Sequence, residues 1–407
     1  MDATAAAPVP ATAGDEATLL AEALDVPVSA VRVFSREPLG AGSVTGVTLA
    51  PEAASAQGFP SDSVAYLDTS LLPVVRETGL ALDGVARVWL HPADPHLPAL
   101  APAAFGDAAA VLLSRLGIAA TDTPELVGYR PGRRAVLRVP TEGGSSWVKV
   151  VRPSRIERVV TAHDALRAGG LPVPAVRGWS PEGLLVLDAA TGAPATEATW
   201  RPAHLLDAVD DLRRRLTGIP LAWPARTSLA QRLPWYLSRL ELLLPDAERL
   251  RGIGARIAQS LASAPAPPAT IHGDLHIGQL FLVDGAVSGL IDVDTAGRGE
   301  PGEDTAAFLG HAVASALLTE RRGGQDGPGG DHPGDGSAAV RALAGLAFER
   351  WGADARTRAL TAVHLLGHAL GAASAGDPGR AAQLIDGAER AAAPDHKSPL
   401  MPGFEAP

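Results

Sequence analysis

Three side chains that carry oxygen ligands lie close together in one stretch of the sequence. Asp274 is followed five residues later by Gln279 and eighteen residues later by Asp292. A carboxylate can orient a hydroxyl group and accept its proton, and Mg²⁺ prefers oxygen ligands such as carboxylates and amides. Transfer of the terminal phosphate of ATP to a hydroxyl needs both functions, and this set fits that reaction, with Asp274 as the base and with Gln279 and Asp292 as magnesium ligands.

The residues between Gln279 and Asp292 indicate how the two ligands meet. Two apolar runs, 280–283 and 286–293, flank the pair Asp284-Gly285. An Asp-Gly pair between apolar runs is a strong signal for a β-hairpin with a tight turn. The hairpin would bring the two ligands side by side at its open end.

The same stretch resembles a known family. Residues 272–279, His-Gly-Asp-Leu-His-Ile-Gly-Gln, resemble the catalytic loop of the aminoglycoside phosphotransferase and protein kinase-like superfamily of small-molecule kinases, and residues 291–294, Ile-Asp-Val-Asp, are similar to its metal-binding segment. The commoner family form ends the loop in Asn, whereas Gln279 is similar to the maltokinase and glucosamine-kinase branch. The resemblance covers roughly residues 125–375. It implies an α+β, two-lobed protein-kinase-like fold with a small antiparallel-sheet N-lobe and a mostly helical C-lobe.

The resemblance also implies roles for residues outside the loop. Asp304, with His272, would support the catalytic loop, although an acid at a helix start is also explained by the helix dipole. Asp188 to Ala190 would form the hinge whose main chain binds adenine. Asp294 is a further candidate for contact with metal or substrate.

Lysine usage singles out Lys149. Of the 35 basic residues only Lys149 and Lys397 are lysines, and Lys149 lies in the apolar run 146–151. Lysine and arginine are not interchangeable where a compact charge must meet phosphate oxygens, so we predict that Lys149 binds the nucleotide phosphates. The resemblance implies an acidic partner on the following helix; Glu157 is the favoured candidate and Asp164 the alternative.

Residues 125–151 read as three antiparallel strands with tight turns, as the N-lobe requires. The first turn, at residues 131–134, would cover the nucleotide phosphates. It contains a single glycine, Gly132, and is not a Gly-rich loop. Arg133 and Arg134 are candidate guanidinium donors to phosphate; the alternative is that they are exposed arginines on a hairpin.

The predicted organisation places a β-rich extension before the kinase-like core. Short alternating runs at 43–49, 63–67 and 84–90 predict strands, and the maltokinase branch likewise carries an N-terminal cap. The predicted segments are a disordered start and β-rich cap (1–100), the N-lobe (101–190), the C-lobe (191–393) with a flexible insertion (322–337), and a tail (394–407).

Two residue pairs that contain histidine are candidate sites. His91 and Asp94 lie in a loop with two prolines, where a structural role is favoured over a metal or catalytic one. His364 and His368 are four residues apart on one predicted helix face. Zinc binding is possible for this spacing, but packed core histidines are the favoured interpretation.

Composition bounds the function. A net charge of −10 argues against a general nucleic-acid binder, the absence of cysteine excludes thiolate metal sites and fits a cytoplasmic protein, and no membrane span or signal peptide is expected. We therefore expect an ATP- and Mg²⁺-dependent phosphotransferase that acts on an alcohol group of a small polar molecule, such as an aminoglycoside, sugar or aminosugar. The alternative is a nucleotide-binding regulatory module without turnover. The sequence leaves the acceptor, the choice of ATP or GTP and the oligomeric state open.

Overall fold

The computed structural model describes residues 13–82, 84–325, 335–393 and 400. The strands are β1 (Val31–Leu39), β2 (Gly42–Leu49), β3 (Val64–Asp68), β4 (Leu80–Leu82), β5 (Ala86–Leu90), β6 (Glu125–Arg130), β7 (Arg134–Thr141), β8 (Gly144–Val151), β9 (Val176–Trp179), β10 (Leu184–Leu187), β11 (Ala193–Pro194), β12 (Ala269–Ile271), β13 (Leu280–Val283), β14 (Ala286–Leu290) and β15 (Gly297–Gly299). The helices are α1 (Ala13–Ala23), α2 (Pro51–Ala56), α3 (Leu100–Ala104), α4 (Gly106–Ser114), α5 (Pro153–Ala168), α6 (Pro202–Thr217), α7 (Leu229–Leu243), α8 (Ala247–Leu261), α9 (Gly302–Gln325), α10 (Asp335–Trp351), α11 (Ala355–Ser374) and α12 (Pro378–Ala391).

The chain divides into two units. The first comprises Met1–Val160 and Ala175–Ala189, and the second comprises Thr161–Pro174 and Ala190–Pro407. The first unit carries two antiparallel sheets and the second is mostly helical. These features confirm the predicted α+β class, with antiparallel sheets first and helices later.

The N-terminal extension is a five-stranded antiparallel sheet. Its strand order is β1-β2-β3-β5-β4. Alternation along the strands buries one face, where Val47, Leu67 and Val88 pack against Leu20 of α1. The β-rich extension expected from the alternating runs is therefore present.

The second sheet of this unit has the order β6-β7-β8-β10-β9 and is also antiparallel. One face packs Leu137, Val148 and Val186 against α4, and the other face packs Leu185 against α5. Because side chains alternate along a strand, Lys149 of β8 lies on the face opposite Val148, toward α5.

Helix α11 is the centre of the helical unit. It is buried along most of its length and packs against α7, α8, α9 and α12. Two small antiparallel sheets, β11-β13-β14 and β12-β15, lie in the same unit and flank the stretch from Asp274 to Asp292. None of the described helices is both long and apolar enough to cross a bilayer.

Several predicted elements differ in their limits. Residues 103–116 are rich in Ala, Val and Leu, which predicts a single helix. Phe105 instead has an extended backbone, so this stretch contains the end of α3 and all of α4. The amphipathic stretch 229–251 predicts a long helix that Pro234 and Pro245 kink or break into shorter helices. It divides around Pro245, and Asp246 caps α8 by accepting a hydrogen bond from the Arg249 amide.

Part of the predicted disorder falls outside the described residues. Of the insertion expected over 322–337, residues 322–325 belong to α9 and 335–337 to α10, and the rest lies outside the described residues. The expected start (1–15) is described only from Ala13, where α1 begins. The expected tail (394–407) is described only at Leu400, which is buried in the core of the helical unit.

Candidate active site

The predicted hairpin is confirmed as β13 and β14. Leu280 pairs with Leu290, and the Ile291 amide donates a hydrogen bond to the Gln279 carbonyl at 3.0 Å. Asp284 and Gly285 both have positive φ, at 50° and 79°, as a two-residue hairpin turn of this type requires. The pairing places Gln279 and Asp292 at the open end of the hairpin.

The side chains at this end fit a hard cation. The amide oxygen of Gln279 is buried and has no hydrogen-bond partner among the described residues. Such an atom costs about 1–3 kcal/mol unless a ligand satisfies it, and an amide oxygen suits Mg²⁺. Asp292 has a left-handed backbone with φ of 61°, and strained conformations of this kind cluster at functional sites.

A tight turn precedes Asp274. Gly273 has φ of 84°, and a Cβ there would lie 2.9 Å from the Thr295 carbonyl oxygen, so the position requires glycine. The Thr295 hydroxyl donates to the His272 carbonyl at 2.8 Å. Strand β12 leads into this turn and pairs with β15, which follows the hairpin. The two segments of the site are therefore held together on both sides.

Asp304 holds the backbone of the turn. Its two carboxylate oxygens accept hydrogen bonds from the His272 and Gly273 amides, each at 2.8 Å. The His272 imidazole also donates from Nε2 to the Ile291 carbonyl at 3.0 Å. Burial raises the pKa of Asp304, and the two amide donors oppose this shift. Asp304 thus joins α9 to the turn that precedes Asp274.

Asp274 has two basic neighbours that the sequence did not reveal. Arg226 Nη2 lies 2.7 Å from Asp274 Oδ1, and His311 Nε2 lies 4.0 Å from the same oxygen. Burial favours the protonated carboxyl, but the neighbouring His311 and the Arg226 charge outweigh it and lower the pKa of Asp274 well below its usual range. Asp274 is therefore ionised throughout the physiological pH range.

Long-range packing, which has no local sequence signal, places these neighbours. The loop with Arg226 runs beside β15, where the Ala225 amide donates to the Arg298 carbonyl at 2.9 Å. A Cβ at Gly297 would lie 2.6 Å from this loop, so glycine permits the close approach. His311 follows Asp304 by seven residues on α9, and two helical turns place both on one face.

Lys149 is buried in the first unit, with 5% of its surface exposed. It pairs in register with Val136 of β7 and Leu185 of β10. The two acids proposed as its partner, Glu157 and Asp164, both lie on exposed positions of α5.

The turn at residues 131–133 is attached to the N-terminal extension. The Gly132 amide and the Tyr129 hydroxyl donate to Asp94 Oδ2 at 2.7 and 2.9 Å. Arg133 donates to the Pro38 carbonyl and lies 4.0 Å from a carboxylate oxygen of Glu37. The structure therefore brings Arg133 to the extension, and Asp94 has the structural role that was favoured for it.

Arg134 and the hinge residues lie at the ends of strands. Arg134 begins β7 and pairs with Val151 of β8. The Asp188 amide donates a hydrogen bond to the Ala175 carbonyl at 3.0 Å. A ligand that binds the main chain of Asp188 would therefore use its carbonyl group. Ala190 is the first residue of the longer segment of the second unit, Ala190–Pro407.

Replacing Asp94 by alanine is expected to destabilise the first unit by about 3 kcal/mol, because buried donors lose their acceptor. The carboxylate is 1% exposed and also accepts from the His96 amide at 2.9 Å. Urea unfolding of Asp94→Ala, compared with the exposed Asp62→Ala, measures the difference. Equal stability of the two variants would show that the turn does not depend on this contact.

Glu303 predicts a pH dependence of stability. Burial raises its pKa from 4.5 to about 7, although its carboxylate accepts a hydrogen bond from the Leu229 amide at 3.1 Å. Between these pH values the folded chain holds a proton that the unfolded chain has released, so stability falls as the pH rises through this window. The contribution lost by pH 8 is about 3 kcal/mol.

Glu303→Gln removes this titration and keeps an acceptor oxygen. We expect the free energy of unfolding of the variant, relative to the unsubstituted protein, to be higher at pH 8 than at pH 5. The exposed Glu197→Gln serves as control and should show no such change. A difference between Glu303→Gln and the unsubstituted protein that is the same at both pH values would refute the assignment.

A family model and solved structures resemble this chain. A family model described as the phosphotransferase enzyme family matches residues 125–343. No curated protein sequence matches the chain. A thermostable mutant of aminoglycoside phosphotransferase APH(4)-Ia in its apo form is 14% identical with a TM-score of 0.50, and the match covers 70% of this chain and 99% of that one.

Two further structures are similar at lower scores. Amicoumacin kinase hAmiN, in complex with AMP-PNP, Ca²⁺ and Ami, is 15% identical with a TM-score of 0.47, and the match covers 72% of this chain and 95% of that one. Macrolide 2'-phosphotransferase MphH from Brachybacterium faecium is 20% identical with a TM-score of 0.41, with coverage of 72% and 99%.

Proposed function

Because this chain belongs to the phosphotransferase enzyme family, we propose that it transfers the γ-phosphate of ATP to a hydroxyl of a small, sugar-like molecule. The family model covers more than half of the chain, so the resemblance seen in the catalytic loop and the predicted class, a phosphotransferase with an alcohol group as acceptor, are confirmed. The ATP, the magnesium ion, the residue roles and the acceptor are our proposal.

Asp274 is the residue that orients the acceptor hydroxyl and takes its proton. Its low pKa keeps it ionised, as an acceptor of a hydrogen bond from the hydroxyl must be. A carboxylate this acidic holds a proton weakly, so its main contribution is orientation, with proton transfer late in the reaction. Arg226, paired with Asp274 at 2.7 Å, fixes the carboxylate before the acceptor arrives.

Gln279 and Asp292 hold magnesium, which when bound neutralises phosphate charge. The observation that supports this role is the buried amide oxygen of Gln279, which has no partner among the described residues. Lys149, positioned by Glu157 or Asp164, binds the nucleotide phosphates together with Arg134, whereas Arg133 is engaged by the extension. Main-chain groups of Asp188 and Ala190 bind the adenine.

The charges around Asp274 favour a neutral or anionic acceptor. Its charged neighbour is the Arg226 guanidinium, at 2.7 Å, and the imidazole of His311 lies 4.0 Å away. A polycationic aminoglycoside would meet like charge at Arg226 and would have to compete with it for Asp274. A neutral sugar needs only hydrogen-bond partners, which imidazoles and a guanidinium supply.

The test is magnesium-dependent ADP release across maltose, glucosamine, other small alcohols and a panel of aminoglycosides. We expect stimulation by an uncharged or anionic sugar-like alcohol. Stimulation by aminoglycosides alone would refute the acceptor class but keep the kinase. ATP binding by calorimetry without turnover on any acceptor would favour the alternative, a regulatory nucleotide-binding module, and absence of ATP binding would refute the proposal.

A further inference from the structure

Four imidazoles lie together beside Asp274. The ring centroids are 4.1 Å apart for His276 and His311, 4.6 Å for His311 and His368, 4.8 Å for His311 and His364, and 5.0 Å for His364 and His368. They come from the catalytic loop, α9 and α11. The proposed phosphotransfer does not need four adjacent imidazoles, so the cluster calls for a separate explanation.

The hydrogen bonds distinguish His276 from the other three. The Gly278 amide donates to Nδ1 of His276 at 3.1 Å, so neutral His276 carries its proton on Nε2. Its Nδ1 lone pair is already used and its Nε2 is a donor, so His276 has no nitrogen free to bind a metal in this arrangement.

His364 and His368 have the opposite character. Nδ1 of His364 and Nε2 of His368 are buried and have no hydrogen-bond partner among the described residues. The two residues lie four apart on α11 and face His311 of α9. A buried nitrogen in a native protein normally has a hydrogen-bond partner. The lack of one at these two atoms indicates that a ligand binds here.

We propose that His311, His364 and His368 bind one divalent transition-metal ion of the zinc type. One ring nitrogen from each residue lies within 4.8 Å of the others. In a tetrahedral site with Zn–N bonds of about 2.1 Å, two ligand nitrogens lie about 3.4 Å apart, a distance that ring rotations can reach from the 4.8 Å limit of this cluster. Three imidazoles leave a fourth tetrahedral position for an oxygen ligand.

The site is chemically distinct from the magnesium site. Gln279 and Asp292 offer oxygen atoms, which suit a hard cation, whereas three imidazoles suit a borderline ion such as Zn²⁺. Gly310 on α9 makes room for the cluster, because a Cβ there would lie 2.7 Å from Nδ1 of His364. The proposal does not rest on the proposed phosphotransfer.

Calorimetry with untagged, chelator-treated protein tests it. In excess Mg²⁺ we expect one Zn²⁺ to bind per chain, and Co²⁺ to give the strong visible absorption of a tetrahedral site. His368→Gln and His311→Gln should each weaken Zn²⁺ binding by at least about 10–100-fold, the loss found when even an outer partner of a metal ligand is removed. His204→Gln, at an exposed histidine of α6, should bind as the unsubstituted protein does.

Three results would overturn the proposal. They are the absence of stoichiometric Zn²⁺ binding to the unsubstituted protein, unchanged binding by both variants, and loss of binding in Asp274→Asn with retention in His368→Gln. The last would assign the ligands to Asp274, His276 and His311, which is the other possible cluster. Circular dichroism establishes that each variant is folded, and the Co²⁺ spectrum tests the site without any substitution.

Discussion

Asp274→Asn is expected to lower kcat by about 10²–10⁴-fold, the usual contribution of a positioned acid or base. Asparagine keeps the shape of the side chain but cannot accept the acceptor's proton, and its amide carries no charge to hold Arg226 at 2.7 Å. The nucleotide does not depend on this group in the proposed mechanism, so ATP affinity should be largely unchanged.

The measurement is steady-state ADP release with the best acceptor, together with calorimetry of ATP binding. The pair is partly exposed, with 24% of the Arg226 side chain and 30% of the Asp274 side chain accessible. Breaking a fully buried pair costs about 3 kcal/mol or more, so the free energy of unfolding of Asp274→Asn should fall by less than that. Asp211→Asn, at an exposed carboxylate of α6, is the matched control. Loss of ATP binding in Asp274→Asn would mean that its role is assigned wrongly.

The local part of the site could be predicted from the sequence because a hairpin fixes it. Asp284-Gly285 demands a two-residue turn, and that turn brings Gln279 and Asp292 together whatever the rest of the chain does. The spacing of chemically suitable residues is informative here because all of them lie within one short segment.

The partners of Asp274 could not be predicted in this way. Arg226 precedes it by 48 residues in a loop without a motif, and His311 lies on a helix whose rotation depends on core packing. The His364 and His368 spacing was visible, but the third imidazole that changes its interpretation comes from another helix. Such contacts are set by tertiary packing, which local patterns do not encode.

The N-terminal extension was predicted in outline and β1 was missed. Strand β1 is an edge strand with mostly exposed side chains and a proline at position 38. It therefore lacks the apolar alternation that identified its neighbours. The attachment of the 131–133 turn through Asp94 likewise joins two segments that are 38 residues apart, and the loop around Asp94 gave no sign of it.

Asp304→Ala is the second substitution with a large expected effect. It leaves the His272 and Gly273 amides without acceptors in the interior, at about 1–3 kcal/mol each, and it frees the turn that carries Asp274. We expect a loss of several kcal/mol, and in the folded fraction a fall in kcat that exceeds any change in KM for ATP.

Asp304→Asn separates the effect of packing from that of hydrogen bonding. Asparagine fills the same volume, but it has one acceptor oxygen, and its NH₂ group would face a backbone amide that also donates. It should lie between Asp304→Ala and the unsubstituted protein in both kcat and stability. Urea unfolding and kinetics on all three proteins make the test. If Asp304→Ala lost stability but kept its kcat, Asp304 would be a core residue only, and the turn would hold Asp274 in place through Gly273 and Thr295 alone.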